Sequence, residues 1–233
     1  MELKGKKVLV TGGSSGIGYA IAEHLGQKGA LVGINGRDAS RLEDAAKKLD
    51  CPAFAGDVGD EEQAESIVSA FVERLGGIDV LINNAGFGIF SKLVDMKTED
   101  FEAVIRTNVT GCFLVGRAVA RHLLAQSSGA IVNVASTAAL KGFQGGTAYA
   151  TSKFALRGMT ECWREELRRH DIRVMLVNPS EVITDFSKRA GYEQEVTDKK
   201  LRPSEIAEAV VSMLEMNERG FIPELAVFAT NPF

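Results

Sequence analysis

The stretch Val8-Leu-Val-Thr-Gly-Gly-Ser-Ser-Gly-Ile-Gly18 decides the fold, because a short apolar run leads through a glycine-rich turn into an amphipathic segment. Glycine permits a tight turn here, and the backbone N–H groups that open the next helix can bind phosphate oxygens. The spacing is Gly-x-x-x-Gly-x-Gly and differs from the common dinucleotide fingerprint. Six residues are predicted to surround a pyrophosphate: Gly12, Ser14, Ser15, Gly16, Ile17 and Gly18. The alternative is a turn that is merely rich in glycine.

Working outward from this turn, short apolar runs alternate with amphipathic stretches along the chain. Strands are predicted at 6–10, 31–35, 53–55, 80–82, 130–135, 173–177 and 222–228. Helices are predicted at 18–29, 39–49, 61–75, 98–126, 148–170 and 204–216, and Asp38, Asp60, Thr98 and Ser204 are residue types suited to their N-caps. Strands without polar alternation are buried on both faces, as in a parallel sheet covered by helices. We therefore predict an α/β fold, a doubly wound parallel sheet, in one domain spanning 1–233.

The composition excludes several classes of function. The chain has 233 residues, 45% of them hydrophobic, and a formal net charge of −4, so no global basic field attracts nucleic acid or a membrane surface. No apolar run approaches the roughly 18 residues that span a bilayer. Cys51, Cys112 and Cys162 lack metal-ligand spacing, so no metal is predicted. Because the first strand is predicted to start at residue 6, we expect no signal peptide and a soluble, cytoplasmic protein.

The second predicted strand ends in Asn35-Gly-Arg37. Dinucleotide folds that bind NAD commonly place an acid near this point to hold the ribose 2′-hydroxyl. The guanidinium of Arg37 suits a 2′-phosphate instead, and Asp38 is expected to cap the next helix. We predict NADP(H) rather than NAD(H) as the cofactor. The alternative is that Arg37 is an ordinary exposed charge.

Small and polar residues also follow the third and fourth strands, as Asp57-Val58 and Asn83-Asn-Ala-Gly86. Ligands of such folds bind at the carboxyl ends of the strands. Asp57 is predicted to accept the adenine amino group, beside Val58, and Asn84, Ala85 and Gly86 are predicted to contact the cofactor. Turn formation alone is the alternative, since Asn, Asp and Gly favour turns.

A second motif, Tyr149-Ala-Thr-Ser-Lys153, follows Ser136. A tyrosine and a lysine four residues apart lie on one face of a helix. A phenol beside an ammonium group ionises more readily, so the pair can exchange a proton with a bound oxygen. Together with a dinucleotide, the motif indicates hydride transfer coupled to proton transfer.

In their order and spacing, these motifs resemble the short-chain dehydrogenase/reductase family. The resemblance covers nearly the whole chain: Thr-Gly-x-x-x-Gly-x-Gly at 11–18, Asp57, Asn-Asn-Ala-Gly at 83–86, Asn108, Ser136, Tyr149-x-x-x-Lys153, and residues 179–184. It implies a Rossmann sheet of seven strands in the order 3-2-1-4-5-6-7, with helices on both faces.

The resemblance also implies a catalytic tetrad of Asn108, Ser136, Tyr149 and Lys153. Tyr149 would be the general acid in carbonyl reduction, or the base in alcohol oxidation, and Ser136 would hydrogen-bond the substrate oxygen. Lys153 would hold the nicotinamide ribose and favour the tyrosinate, and Asn108 would position a water that relays protons from Lys153. Tyr149 and Lys153 would thus contact the cofactor as well.

Beyond the sixth strand, the resemblance implies cofactor contacts from Pro179, Val182 and Thr184. Ser180 stands where the family usually has glycine. The polar stretch at about 185–202 is interpreted as a short lid that orders on cofactor binding.

Three segments are expected to grip a small-molecule substrate: those after Gly86, between Ser136 and Tyr149, and after Thr184. The first offers Phe87 and Phe90. The predicted substrate contacts are Phe87, Phe143, Gln144 and Phe186, which indicate an apolar or aromatic pocket.

We predict NADP(H)-dependent interconversion of a carbonyl group and a secondary alcohol, with a small ketone as substrate. The C-terminus lacks the glycine-rich ending of most 3-oxoacyl reductases and resembles the sepiapterin-reductase-like branch, whose substrates are small carbonyls on polar ring systems. A 3-oxoacyl-thioester reductase and a catalytically idle NADP(H)-binding regulator are the alternatives. By family analogy we expect a homodimer or homotetramer, formed through the helices at 98–126 and 148–170.

Overall fold

The computed structural model describes residues 1–191 and 195–231, without the side chains of Lys188 and Arg189. In these residues the strands are β1 (Lys7–Thr11), β2 (Leu31–Gly36), β3 (Ala53–Ala55), β4 (Val80–Asn83), β5 (Gly129–Val134), β6 (Ile172–Pro179) and β7 (Glu224–Val227). The helices are α1 (Gly16–Gln27), α2 (Ala39–Leu49), α3 (Glu61–Leu75), α4 (Thr98–Ile105), α5 (Cys112–Gln126), α6 (Thr147–Leu167), α7 (Phe186–Arg189) and α8 (Pro203–Glu215), with 3-10 turns at Leu93–Asp95, Thr137–Ala139 and Arg168–His170. Within this described part, no helix is long and apolar enough to cross a membrane.

The strands form one sheet in the order β3-β2-β1-β4-β5-β6-β7, and every neighbouring pair is parallel. Successive side chains of a strand point to opposite faces. Val8 and Val10 accordingly pack in a core with α1, α2 and α8, whereas Leu9 packs in a second core with α3, α5 and α6. The predicted fold class and strand order are therefore confirmed. The chain order reverses between β1 and β4, the point at which folds of this type form a ligand cleft.

Two of the four predicted N-caps are confirmed. The carboxylate of Asp38 accepts the backbone N–H of Arg41 and caps α2. The carboxylate of Asp60 accepts the backbone N–H of Gln63 and caps α3. Both carboxylates satisfy N–H groups that have no partner within the helix.

The other two predicted N-caps are wrong. Helix α4 already includes Thr98, and its N-cap is Lys97. Helix α8 begins at Pro203 with Arg202 as its N-cap, so Ser204 lies inside the first turn. Proline favours the first helical position because its φ is fixed near the helical value and its missing N–H leaves no unsatisfied donor.

The helix predicted at 98–126 forms as α4, a π-helical segment at Arg106–Gly111, and α5. The π-helical segment carries Asn108, which is buried. It also passes close to the loop after β3, because a Cβ on Gly111 would lie only 2.7 Å from Cγ2 of Val58. Such single π turns occur frequently at functional sites.

The stretch interpreted as a lid contains a short helix that was not predicted, α7. Residues 192–194 of this stretch lie outside the described residues. Its far end is joined to the chain after β6, because the N–H of Ile183 donates to the carbonyl oxygen of Leu201 at 2.8 Å. Closure of a lid stays a prediction.

Hydrogen bonds around Thr11 join the carboxyl ends of β1 and β4. The buried Thr11 hydroxyl oxygen accepts the N–H groups of Asn84 at 3.0 Å and Ala85 at 3.1 Å. The side-chain amide of Asn84 donates to the carbonyl oxygens of Thr11 at 3.1 Å and Gly12 at 3.2 Å. A Cβ on Gly18 would lie 2.4 Å from both Nδ2 of Asn84 and the carbonyl oxygen of Gly12. The absence of a side chain at Gly18 therefore allows α1 to approach this junction.

We expect Gly18→Ala to lower the free energy of unfolding by about 1–3 kcal/mol, because the new methyl group must displace Asn84 or the glycine turn. Gly26→Ala in the same helix is the control, since a Cβ there meets nothing within 4 Å. The higher helix propensity of alanine predicts a gain of up to about 1 kcal/mol for the control. Urea denaturation measures both, and equal effects of the two substitutions would contradict the packing argument.

Candidate active site

A cavity of about 1390 Å³ runs along the carboxyl ends of the strands. Residues that follow each of the strands β1 to β7 line it, which is the position expected for a ligand site in an open α/β sheet. All of the predicted site residues line this cavity except Gly18, Asp57 and Asn108. The structure thus brings together predicted site residues that are far apart along the chain, from Gly12 to Phe186.

At one end of the cavity, the glycine turn has the backbone shape that its sequence predicts. Gly12 and Gly16 have φ angles of 63° and 58°, the left-handed region that favours glycine. A Cβ on Gly12 would lie 2.9 Å from Cα of Ala85, and one on Gly16 would lie 3.4 Å from Cγ2 of Thr184. Glycine at these positions therefore lets the turn lie against the segments after β4 and β6, beside the N–H groups at the start of α1 that can bind a phosphate.

Arg37 is exposed at the end of β2, and its guanidinium carbon lies 5.8 Å from the ring centroid of Phe87. Asp38 is engaged elsewhere: Arg41 donates both its backbone N–H and its guanidinium to that carboxylate, and these hydrogen bonds lower the pKa of Asp38. Arg41 also lines the cavity, although sequence reasoning did not select it. The sequence feature that could have identified Arg41 is its position in the first turn of α2, three residues after the N-cap Asp38.

Asp57 does not line the cavity, whereas Val58 does. One carboxylate oxygen of Asp57 accepts the N–H of Gly59 at 2.9 Å, and its own N–H donates to the side chain of Gln63. Turn formation accounts for these contacts. The predicted contact between Asp57 and adenine stays a prediction.

At the other end of the cavity, Lys153 and Tyr149 share one face of α6, as their spacing predicts. Only 5% of Lys153 is exposed, and its Nζ donates to the carbonyl oxygen of Val134 at 3.0 Å. The Nζ atom lies 5.6 Å from the centroid of the Tyr149 ring. Burial lowers the pKa of Lys153 to about 8, because removal from water penalises the charged ammonium.

Ser136 follows β5 and lines the same part of the cavity. Its hydroxyl oxygen accepts the N–H of Ala138 at 3.1 Å, which caps the 3-10 turn at Thr137–Ala139. A serine hydroxyl has one donor and two acceptor positions. The proton of Ser136 can therefore still be donated to a bound oxygen while this cap is kept.

Asn108 lies behind the cavity wall, 1% exposed. Its Oδ1 accepts the N–H of Phe87 at 3.0 Å, and its Nδ2 donates to the carbonyl oxygen of Phe87 at 2.8 Å and to Oγ of Ser152 at 3.0 Å. The Ser152 hydroxyl donates in turn to the carbonyl oxygen of Tyr149 at 2.7 Å. Asn108 thus joins the segment after β4 to the helix that carries Tyr149, a connection that no sequence motif indicated.

After β6, Pro179, Val182 and Thr184 line the cavity. Ser180, in the place of the usual glycine, donates its N–H to the carbonyl oxygen of Val227 at 2.9 Å. The hydroxyl of Thr184 accepts the N–H of Phe186 at 3.2 Å and so holds the start of α7.

Aromatic rings cluster beside Tyr149. Phe90 lies 5.6 Å from Tyr149, centroid to centroid, and 5.6 Å from Phe143, while Phe186 lies 5.4 Å from Tyr149. Among the predicted substrate contacts, Phe143 and Phe186 belong to this group, and Gln144 is exposed beside it on the cavity. Phe87 is directed toward Arg37 instead.

Among residues 1–191 and 195–231, no three His, Cys, Asp or Glu side chains cluster in a way that could hold a metal ion. Cys51 and Cys112 are free thiols whose pKa values burial raises to about 11 and about 12.

Comparison with known proteins identifies the family. The sequence model of the short chain dehydrogenase family matches residues 6–195. The chain therefore belongs to the short-chain dehydrogenase/reductase family of oxidoreductases.

A 3-oxoacyl-[acyl-carrier-protein] reductase of Thermotoga maritima is 37% identical over 194 residues, which cover 81% of this chain and 79% of the relative. The structure of an alcohol dehydrogenase from the archaeon Thermococcus sibiricus, complexed with 5-hydroxy-NADP, is similar with a TM-score of 0.89, 28% identity and 97% of each chain covered. The structure of an NAD⁺-bound xylitol dehydrogenase is similar with a TM-score of 0.87 and 29% identity, covering 98% of this chain and 100% of the other. Both forms of the dinucleotide therefore occur in structures similar to this one.

The buried lysine predicts a stability difference that depends on pH. Because the pKa of Lys153 is about 8 in the folded protein and 10.5 without burial, the unfolded chain binds more protons between these values, and stability rises with pH there. The unsubstituted protein should therefore gain stability between about pH 7 and pH 10, and Lys153→Met should lack this gain. The free energy of unfolding of the variant, relative to the unsubstituted protein, should fall by on the order of 2 kcal/mol over this range.

Denaturation of the cofactor-free proteins at several pH values measures this difference. Lys47→Met, which removes an exposed lysine of α2, is the control for the loss of one lysine, and the change with pH should be larger for Lys153→Met than for this control. A constant difference for Lys153→Met would show that the burial of Lys153 does not shift its titration.

Proposed function

We propose that this oxidoreductase uses NADP(H) to interconvert a small ketone and its secondary alcohol. One observation carries the proposal: Ser136, Tyr149 and Lys153 line the same cavity as the positive-φ glycines Gly12 and Gly16. The cavity thus combines a phosphate-binding turn with a group that can transfer a proton. This pairing is what a hydride-transferring dinucleotide enzyme requires.

The residues present fit such a dinucleotide. The glycine turn leaves room for a pyrophosphate at the start of α1, and Arg37 is exposed at the end of β2 where a 2′-phosphate would lie. Asp38 does not compete for the ribose hydroxyls, because Arg41 holds its carboxylate. This arrangement supports NADP(H) over NAD(H). When bound, the nicotinamide supplies the hydride.

The chain's own residues handle the proton. Ser136 donates a hydrogen bond to the substrate oxygen, which orients the carbonyl group toward the phenol of Tyr149. Tyr149 gives its proton to that oxygen in the reduction direction and takes it back in oxidation. Below its pKa of about 8 the Lys153 ammonium is charged, and at 5.6 Å from the Tyr149 ring it stabilises the tyrosinate that remains.

Asn108 is proposed as a positioning residue for Tyr149. Its hydrogen bonds to Phe87 and Ser152 hold the segment after β4 against α6. Loss of these bonds would allow Tyr149 to move relative to the cofactor, and small displacements of reacting groups are costly to rate.

A 3-oxoacyl thioester is the second candidate substrate, favoured by the Thermotoga maritima reductase at 37% identity. An assay of NADPH oxidation over small diketones and 3-oxoacyl thioesters separates the two. Higher kcat/KM with a thioester than with every ketone would replace the proposed substrate class.

Tyr149→Phe removes the proton donor but keeps the ring. We expect kcat to fall by at least about 10²–10⁴-fold, the usual contribution of a general acid, with NADPH affinity changed less than about threefold. Tyr19→Phe, on α1 and outside the cavity lining, is the matched control and should keep full activity. Steady-state kinetics and NADPH fluorescence titration give the two quantities. NADPH binding without turnover in the unsubstituted protein would instead indicate the idle-regulator alternative.

Arg37→Glu tests cofactor selectivity. Charge-assisted hydrogen bonds contribute about 1.5–3 kcal/mol, so the Kd for NADPH should rise roughly 10- to 100-fold while that for NADH changes little. Arg74→Glu, an exposed arginine outside the cavity lining, is the control. Equal losses of NADPH and NADH affinity in Arg37→Glu would contradict the assignment of Arg37 to the 2′-phosphate.

A further inference from the structure

Four rings form a continuous aromatic wall, defined here as Phe90, Phe143, Tyr149 and Phe186. Phe90 is central: its centroid lies 5.6 Å from Phe143, 5.6 Å from Tyr149 and 6.3 Å from Phe186. Its plane meets that of Tyr149 at 78°, an edge-to-face contact, and the other pairs are tilted by 58°. These separations lie in the range that aromatic pairs prefer.

Glycines hold the aromatic wall close to the backbone. A Cβ on Gly88 would lie 2.9 Å from Phe186, 3.1 Å from Phe90 and 3.1 Å from Tyr149. A Cβ on Gly146 would lie 2.7 Å from the ring of Phe143. The rings therefore occupy the space over two residues that have no side chains, and their positions depend on that space.

The segments that carry the rings are also joined to one another. The N–H of Ser91, next to Phe90, donates to the carbonyl oxygen of Gly145 at 3.0 Å, and Ser91 forms an isolated parallel bridge with Gly146. The Thr184 hydroxyl accepts the N–H of Phe186. Aromatic side chains have only two rotatable bonds, so a wall built in this way presents a defined surface at low entropic cost.

All four rings line the cavity, and Phe143 is 50% exposed. The surface next to the proton donor Tyr149 is thus aromatic on several sides. A flat conjugated ring can form offset or edge-to-face contacts with such rings, whereas a saturated ring of equal size can bury area but has no π-system to pair.

We propose that the aromatic wall selects a carbonyl compound whose C=O is attached to an aromatic ring, with the ring against Phe90, Phe143 and Phe186 and the oxygen at Ser136 and Tyr149. This rests on the proposed function and specifies its substrate class. The ring contacts place the carbonyl carbon beside Tyr149. An acyclic or saturated ketone of similar size lacks that alignment and reacts more slowly.

The test compares 1-phenyl-1,2-propanedione with 1-cyclohexyl-1,2-propanedione, two diketones of similar size that differ in flatness and conjugation. With NADPH, we expect kcat/KM to be about tenfold higher for the phenyl compound, the factor that one ring–ring contact supplies. Conjugation also changes intrinsic reactivity, so the decisive quantity is how substitutions in the wall change this ratio.

Phe143→Leu and Phe186→Leu should each lower the phenyl-to-cyclohexyl ratio by about threefold to tenfold, mainly through the phenyl compound. Phe221→Leu, a partly buried phenylalanine packed on the core and outside the cavity lining, should leave the ratio unchanged. Because Phe143 is half exposed, its substitution leaves the cores intact.

Three outcomes would overturn the proposal. In the first, both diketones are reduced and neither wall substitution changes the phenyl-to-cyclohexyl ratio of kcat/KM. The aromatic wall then does not distinguish a conjugated substrate from a saturated one, and the proposed function stands. If acetoacetyl-coenzyme A has a higher kcat/KM than both diketones, the substrate is a 3-oxoacyl thioester. If no carbonyl compound is reduced with NADPH or NADH, the proposed function fails as well.

Discussion

The hydrogen bonds between Thr11 and the residues that end β4 are the constraint on which the cleft depends. One buried hydroxyl accepts two backbone N–H groups, and the amide of Asn84 returns two hydrogen bonds to the carbonyl oxygens of Thr11 and Gly12. These bonds hold the ends of β1 and β4 together at the point where strand order reverses. Gly18 allows α1 to close on the same junction. The glycine turn and the residues after β4 that line the cavity are therefore held in place by the same hydrogen bonds.

At the other end of the cavity, a buried charged group destabilises the folded protein. The ammonium of Lys153 is buried, and burial lowers its pKa to about 8. One hydrogen bond to the carbonyl oxygen of Val134 offsets part of this cost. The two cores on either side of the sheet supply the stability that allows such a residue to remain. Sites where local rules are broken in this way are commonly functional sites.

Several parts of the site could be read directly from the chain, and others could not. The α/β class, the strand order given by the family resemblance, the positive-φ turn and the Tyr149–Lys153 face were predicted. The π-helical turn at Asn108 was not, because its sequence reads as an ordinary helix and the extra residue is accommodated by packing against Val58 and Gly59. The N-caps predicted at Thr98 and Ser204 were wrong by one and two residues, since N-cap residue types are also tolerated within a first helical turn.

The sequence by itself determined the features that depend only on residues close together in the chain, which are the glycine turn and the shared helix face of Tyr149 and Lys153. A turn that needs left-handed backbone angles requires glycine where it occurs, and residues four apart on a helix share a face whatever surrounds them. Only the tertiary structure decided which distant residues meet. Phe90 and Phe186 pack on Tyr149, Phe143 packs on Phe90, and Phe87 faces Arg37. Asn108 binds Phe87 and Ser152. The physical reason is that these contacts join separate loops, whose relative positions follow from how the helices pack on the sheet and leave no periodic signal along the chain.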